Sequence, residues 1–298
     1  MKFSGHETFS CRATWLKKGL DFVLDNDEVV NPTRFLQPDA ATKLGVGRNM
    51  VHSIRYWLSA FGVILEEEGI DTNSKGVVLK EKIKNFSTTN ILSFLYQSKT
   101  AEAPKALDLY LEDPLTLWLL HYKLVTTNYA TIYNFFFLNF IPRKSNDSFT
   151  EQEFLLALKS HIRASGMSVP SFKTLEIDFK VLLDMYALKF KKSNDIDDTS
   201  LNVLQPLEIL TRQRLTKEKI IFYSLNRASF KEVPKDLIGL IILEIFKLKD
   251  MKGRKSLSAS ADFLLEEVGR AFCFNQEDFR DTLSELGSDY PDIFSYYQ

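Results

Sequence analysis

The chain is poor in the residues that most often announce a specialised function. Its 298 residues hold two cysteines, Cys11 and Cys273, far apart in sequence. They form no CxxC, no zinc-ligand spacing and no disulfide framework, so a reducing, cytoplasmic setting is expected. Four histidines, His6, His52, His121 and His161, are all that is available for imidazole chemistry. Walker A, GxGxxG, GxSxG, HExxH and HNH-type patterns are absent, which removes the commonest nucleotide-binding, hydrolase and zinc-protease signatures. The longest apolar runs, 132–141 and 237–246, fall well short of the about 20 residues that span a bilayer. Glu244 interrupts the second, and both read as buried core helices with no membrane role. The first residues carry no apolar stretch, so no signal peptide is expected. A net charge of −1 excludes a globally basic nucleic-acid binder, and any such affinity must come from a local face.

What is present is aromatic core material. Hydrophobic residues make up 45% and charged residues 26%, ordinary for a globular protein, but 24 are Phe and 11 are Tyr. Such side chains bury much area each, enough for the chain to fold unaided. The pattern predicts a mainly α protein with small β wings, in tandem winged-helix or helix-turn-helix-like units around a helical core. Residues 1–85 read as an N-terminal motif plus a winged helix-turn-helix, with short strands at 62–66 and 76–79 as the wing. Residues 86–147 read as a helical core layer, with Asp113-Pro114 opening one helix and a second over 128–141. After a polar linker at 143–147, residues 148–298 read as a helical, winged-helix-like domain. Thr150 with Glu153 is a capping box opening a helix through Arg163. A second amphipathic helix covers 172–190, a polar loop 191–199 and a strand falls within 215–226. Further helices cover 234–249 and the stretch from Asn275 to Leu286.

The most informative stretch is 40–57. Ala41 and Leu44 face inward on a first helix, Gly45 takes the turn, and Val46 plugs it. Gly47 starts a second helix. Val51, Ile54 and Leu58 then recur at i, i+3 and i+7 as its buried stripe. This is the spacing of a DNA-binding helix-turn-helix. The opposite face would carry Arg48, Asn49, His52 and Tyr56, with Lys43, Ser53 and Arg55 beside them, residue types suited to phosphates and base edges. Any helical hairpin needs a Gly and an apolar stripe, so a structural or protein-binding role is the alternative at this point.

Two polar clusters are candidates for chemistry. The first is Gly5-His6-Glu7-Thr8-Phe9 followed by Arg12, where His6 and Glu7 could activate a nucleophile and Arg12 hold a scissile phosphate. By residue type alone, anchoring of the N-terminus by Phe9, Trp15 and Leu16 is the stronger reading. The second is Glu112 and Asp113 with His121, where a helix cap and a satisfied core histidine are favoured. Glu176, Asp178 and Lys180 have the acid-x-Lys form of some metal nucleases but fall on a helix, and the match reads as chance.

At these segments the sequence resembles a bacterial family known as DUF4007. The matching pieces are Ser4-Gly5-His6-Glu7-Thr8-Phe9 with Arg12 and Trp15-Leu16-Lys17-Lys18-Gly19. They continue with Leu44-Gly45-Val46-Gly47-Arg48-Asn49-Met50-Val51 and Ser53-Ile54-Arg55-Tyr56-Trp57. Asp108-Leu109-Tyr110-Leu111-Glu112-Asp113 and Thr116-Leu117-Trp118-Leu119-Leu120-His121 complete the set. The family's Pro after the N-terminal Phe is replaced here by Ser10-Cys11. The resemblance is weak beyond residue 150. It implies a role beside DNA phosphorothioation, in which sulfur replaces a non-bridging phosphate oxygen. The family includes the DNA-nicking B component of Ssp-type defence systems. The partners so implied are double-stranded DNA, a cysteine desulfurase, an ATPase and a reductase-like sulfur-insertion protein. A homodimer stays open, as does a divalent cation such as Mg or Mn. The alternative is a non-catalytic DNA-binding adaptor or transcriptional regulator that recruits partner proteins.

Overall fold

A computed structural model describes residues 2–24, 32–64, 107–187, 202–214, 221–249 and 258–295. They are mainly helical, with one three-stranded antiparallel sheet. Helix α1 (Ala13–Leu24) buries Trp15, Leu16, Gly19, Leu20, Val23 and Leu24 along one stripe. It lies close against α3 (Arg48–Ala60), because a Cβ on Gly19 would stand 2.6 Å from Ile54 Cγ2. The short α2 (Ala40–Leu44) precedes α3, and the turn between them is the one expected from the glycines. Gly45 is left-handed at φ 62 and ψ 37, and Gly47 caps α3 in an extended conformation. The Val46 N–H reaches back to Ala41 O at 3.1 Å, closing a Schellman-type cap. Gly62, Val63 and Ile64 fold back onto the end of α3 through bonds to Ser59 and Leu58 carbonyls and form no strand. The remainder of the expected wing at 65–79 lies outside the described residues, as does the expected loop at 191–199.

Helix α4 (Pro114–Thr126) starts as Asp113-Pro114 predicts, with the Asp113 carboxylate accepting the Leu115 N–H at 2.8 Å. It is apolar nearly all round and accordingly buried. The helix expected over 128–141 is broken into α5 (Thr131–Phe135), a π turn at Phe136–Phe140 and a 3₁₀ turn at Ile141–Arg143. The π turn adds a residue to the helical cycle, and Phe136, Phe137 and Phe140 are all buried within it.

Strand β1 (Ser148–Thr150) leads directly into α6 (Glu151–Ala164), since Thr150 is both the last strand residue and the helix cap, accepting the Glu153 N–H at 3.2 Å. Helix α7 (Phe172–Tyr186) follows, then the antiparallel pair β2 (Leu210–Arg214) and β3 (Ile221–Leu225). The sheet order is β1-β3-β2. Phe149 stands opposite Tyr223, and Tyr223 meets Phe179 of α7 at 5.4 Å, so one sheet face covers that helix. Helices α8 (Arg227–Phe230), α9 (Lys235–Lys249), α10 (Ala261–Glu267) and α11 (Gln276–Asp289) complete the described chain. Asn275 caps α11 as its spacing to Asp278 predicts. One apolar cluster, rich in Phe, Tyr and Trp, runs continuously from α1 to α11. Among the described residues no helix is long and apolar enough to cross a membrane.

Candidate functional site

Helix α3 exposes Arg48, Asn49 and His52, which lie on one side at i, i+1 and i+4. Nothing acidic stands in its first turn, and no side chain caps it. The exposed Lys43 lies across the turn, paired with Asp39 at 2.9 Å, and this pairing holds the Asp39 carboxyl below its ordinary range. Arg55 is half-buried on the flank. Two members of the expected face are corrected by the structure. Ser53 is fully buried, and Tyr56 is only 4% exposed. Tyr56 continues the side that carries Asn49 and His52, but there the N-terminal loop covers the helix. Its ring meets His6 edge-on at 5.5 Å, Trp57 at 5.1 Å and Tyr129 at 5.3 Å. Burial, then the nearby Asp178 charge, pushes its phenol well above the ordinary value, so it stays neutral.

The covering loop is held in an unusual backbone. Ser4, Glu7 and Thr8 all have positive φ, at 53, 49 and 71. Non-glycine residues adopt that region at a cost, and a run of them persists only where the surroundings enforce it. Three interactions do so here. The Ser4 N–H donates to both Asp178 oxygens at 3.1 Å, His6 Nε2 lies 3.0 Å from Asp178 Oδ1, and Trp57 Nε1–H donates to Phe9 O at 3.1 Å. His6 and Asp178 are 1% and 2% exposed. An acceptor-only carboxylate faces Nε2, so that nitrogen carries a proton, while Nδ1 is buried with no partner. The imidazole also stacks on Trp57 at 6.1 Å. His6 therefore fastens the loop to α7 and seats it on α3.

Gly5 shows how tightly the loop is seated. A Cβ there would lie 2.5 Å from Tyr56 Cδ2 and 2.8 Å from Cε2, and the ring has aromatic neighbours. Gly5→Ala should destabilise the protein by about 1–3 kcal/mol, read from urea-unfolding midpoints. A variant as stable as the parent would show the loop free to lift.

The residues expected to form a catalytic group are not brought together. His6 is interior, Glu7 is exposed, and Arg12 is half-buried with its guanidinium 5.6 Å above the Trp15 ring and its backbone bridged to Asn202. The imidazole has no route to a phosphodiester while Tyr56 and Trp57 cover it. His121 is a satisfied core histidine, bonded to Tyr186 Oη and Ala271 O, each at 2.8 Å. Glu112 stays at the surface, its N–H bonded to Asp108. Both cysteines are buried free thiols, each with its pKa raised by burial, and neither is a poised nucleophile. Among the described residues no group of three or more His, Cys, Asp or Glu converges to hold a metal, so an all-protein cage for Mg or Mn is not offered there.

Asp178 is the residue that motif reading passes over. Its signal is periodicity: Leu175, Asp178, Phe179 and Leu182 fall at i, i+3, i+4 and i+7, so a carboxylate stands on the buried stripe of α7. A charge on such a stripe needs a buried partner.

A mainly helical protein with one small antiparallel sheet and one continuous core among the described residues defines the class. The family model described as "Protein of unknown function (DUF4007)" matches residues 3–298, and the chain belongs to that family. No curated protein matches it. Two solved structures share the fold. A magnesium ion-bound crystal structure of SspB superposes with a TM-score of 0.71, and another SspB crystal structure with 0.72. Each is 24% identical, covering 97% of this chain and 78% of the other.

Proposed function

We propose that this chain is a duplex-DNA-binding component of a bacterial phosphorothioation system of the Ssp type, docking through the outer side of α3. The observation that carries the reading is the exposed set Arg48, Asn49 and His52 at the start of a helix entered through two exposed glycines. Arg and Asn can pair bidentately with guanine and adenine edges. Gly45 and Gly47 keep side chains away from an approaching backbone, since a Cβ on either would meet nothing within 4 Å. The fold shared with SspB supports the system assignment, and the cysteine desulfurase, ATPase and reductase-like protein are its proposed partners.

Strand nicking for sulfur insertion is the finer part of this proposal. Of His6, Glu7 and Arg12, Glu7 is the exposed one, within the enforced loop. His6 acts by holding that loop. Arg48→Ala should weaken duplex binding by about 1–3 kcal/mol with relaxed sequence preference. Fluorescence anisotropy on a panel of duplexes measures it, and unchanged binding would remove α3 as the docking helix. Supercoiled-plasmid nicking by the pure protein, compared with Glu7→Gln, separates a nickase from a binding adaptor or regulator. Binding without nicking selects the latter pair.

A further inference from the structure

The second helical pair presents a surface that the α3 reading leaves unused. Strand β1 enters α6, α7 follows, and β2 and β3 return as a hairpin that places β3 between β1 and β2. This is the chain order of a helix-turn-helix followed by a β-hairpin wing. In it α7 holds the place of the recognition helix. Its buried stripe faces the sheet and the N-terminal loop. Its opposite side carries Lys173, Glu176 and Lys180 at i, i+3 and i+7, with both lysines exposed. Arg212 on the edge strand β2 stands opposite Tyr223 in register. It is thus on the sheet face that covers α7, and it is exposed.

We propose that Lys173 and Lys180 of α7, with Arg212 of β2, form a second duplex-DNA contact surface, so that the protein grips DNA at two helix-turn-helix units. The occupant is chosen by charge and shape. Three exposed cations sit on a helix and an adjoining strand edge, the elements that meet phosphates when a helix enters the major groove. Glu176 is the carboxylate in the middle of this row, and a carboxylate there can accept from cytosine N4. Glu151, at the start of α6, is close enough to feel both Lys180 and Glu176. It offsets part of the charge at that end. Lys173 therefore sits at the more basic end, beside the α6–α7 turn. The two units are not independent. His6 stacks on Trp57 of α3 and bonds Asp178 of α7, so one imidazole ties the two candidate reading helices together. Two DNA-facing surfaces held in fixed relation convert the second engagement into an intramolecular event.

The proposal rests on the DNA-binding reading, and its test separates the two. Anisotropy of a labelled duplex is measured with the full chain across a series of salt concentrations, for the parent, Arg48→Ala and the double variant Lys173→Gln/Lys180→Gln. Removing one cation from a phosphate lowers the slope of log affinity against log salt by about 0.9. The double variant should bind roughly tenfold more weakly, with that slope shallower by nearly 2. Its thermal unfolding should match the parent, because both substitutions are on exposed side chains. A parent with no duplex affinity would overturn the DNA-binding reading itself. Binding weakened by Arg48→Ala but unchanged in affinity and slope by the lysine pair would overturn the second surface alone, and would point to a protein partner for it.

Discussion

Replacing His6 by alanine is expected to lower stability by about 3 kcal/mol, because it takes a hydrogen-bond donor away from a buried carboxylate. Asp178 is 2% exposed and takes its hydrogen bonds from the Ser4 N–H and His6 Nε2. Without the imidazole, a desolvated carboxylate is left with one backbone donor. The ring's packing against Trp57 and Tyr56 goes with it. Asp178→Asn should be milder. It keeps an oxygen for Nε2–H, although its amide group then meets the Ser4 N–H as a second donor. The double variant His6→Ala/Asp178→Ala should cost less than the sum of its singles, because each single already breaks the shared hydrogen bond. Urea midpoints at constant m provide the measurement. The same variants decide the role of His6 in any DNA-directed activity. A catalytic base replaced by alanine leaves a protein of parental stability that has lost only activity. A latch replaced by alanine leaves a protein that unfolds early. Parental stability of His6→Ala would therefore return His6 to the chemistry.

The helix-turn-helix is legible in the sequence because each of its positions obeys a local rule: a left-handed Gly45, an extended Gly47 and a stripe of period 3.6 in α3. The caps at Asp113, Thr150 and Asn275 are legible for the same reason. That same periodicity misplaces Tyr56. It falls on the polar side of α3, and what covers it is a loop more than forty residues earlier in the chain. No local pattern carries that information. The short strand β1 is hidden because three residues are too few for an alternation to stand out, and the last of them is also a helix cap. The His6–Asp178 pair is half legible. Each residue stands out separately, His6 as a candidate for chemistry and Asp178 in a chance motif, while the bond joining them spans 172 positions. A charged residue on a buried stripe is the one sequence sign that such a bond exists.

His121 should make the protein sensitive to mild acid. Burial drives its pKa down to about 4, against a small opposing contribution from the Ala271 carbonyl. The neutral ring satisfies both neighbours at once. Nε2–H donates to Ala271 O, and Nδ1 accepts the Tyr186 hydroxyl. A second proton on the ring would set two donors against each other and force the tyrosine hydroxyl to turn its hydrogen into the apolar core. Because the folded value lies below the unfolded one near 6.5, the unfolded chain takes up the proton first. Stability is therefore fully present above pH 6.5 and is lost as pH falls toward 4, with a slope of about 1.4 kcal/mol per pH unit and a total of roughly 3 kcal/mol. The comparison protein is His121→Gln, whose amide can keep a donor and an acceptor in place but does not titrate. Urea unfolding at pH 7, 6, 5 and 4 should give a gap between the two proteins that shifts in favour of the variant by this amount. Half-buried His161, lowered in the same direction by burial and Arg143, is present in both and cancels. Parallel curves over the window would mean that the ring is protonated in the folded core. His121 binds Tyr186 at one end of α7, and Asp178 holds the N-terminal loop two turns earlier on the same helix. Acid loosening at His121 thus acts on α7, the helix to which the N-terminal loop is fastened, and the outer side of α3 should lose its seat before the rest of the core unfolds.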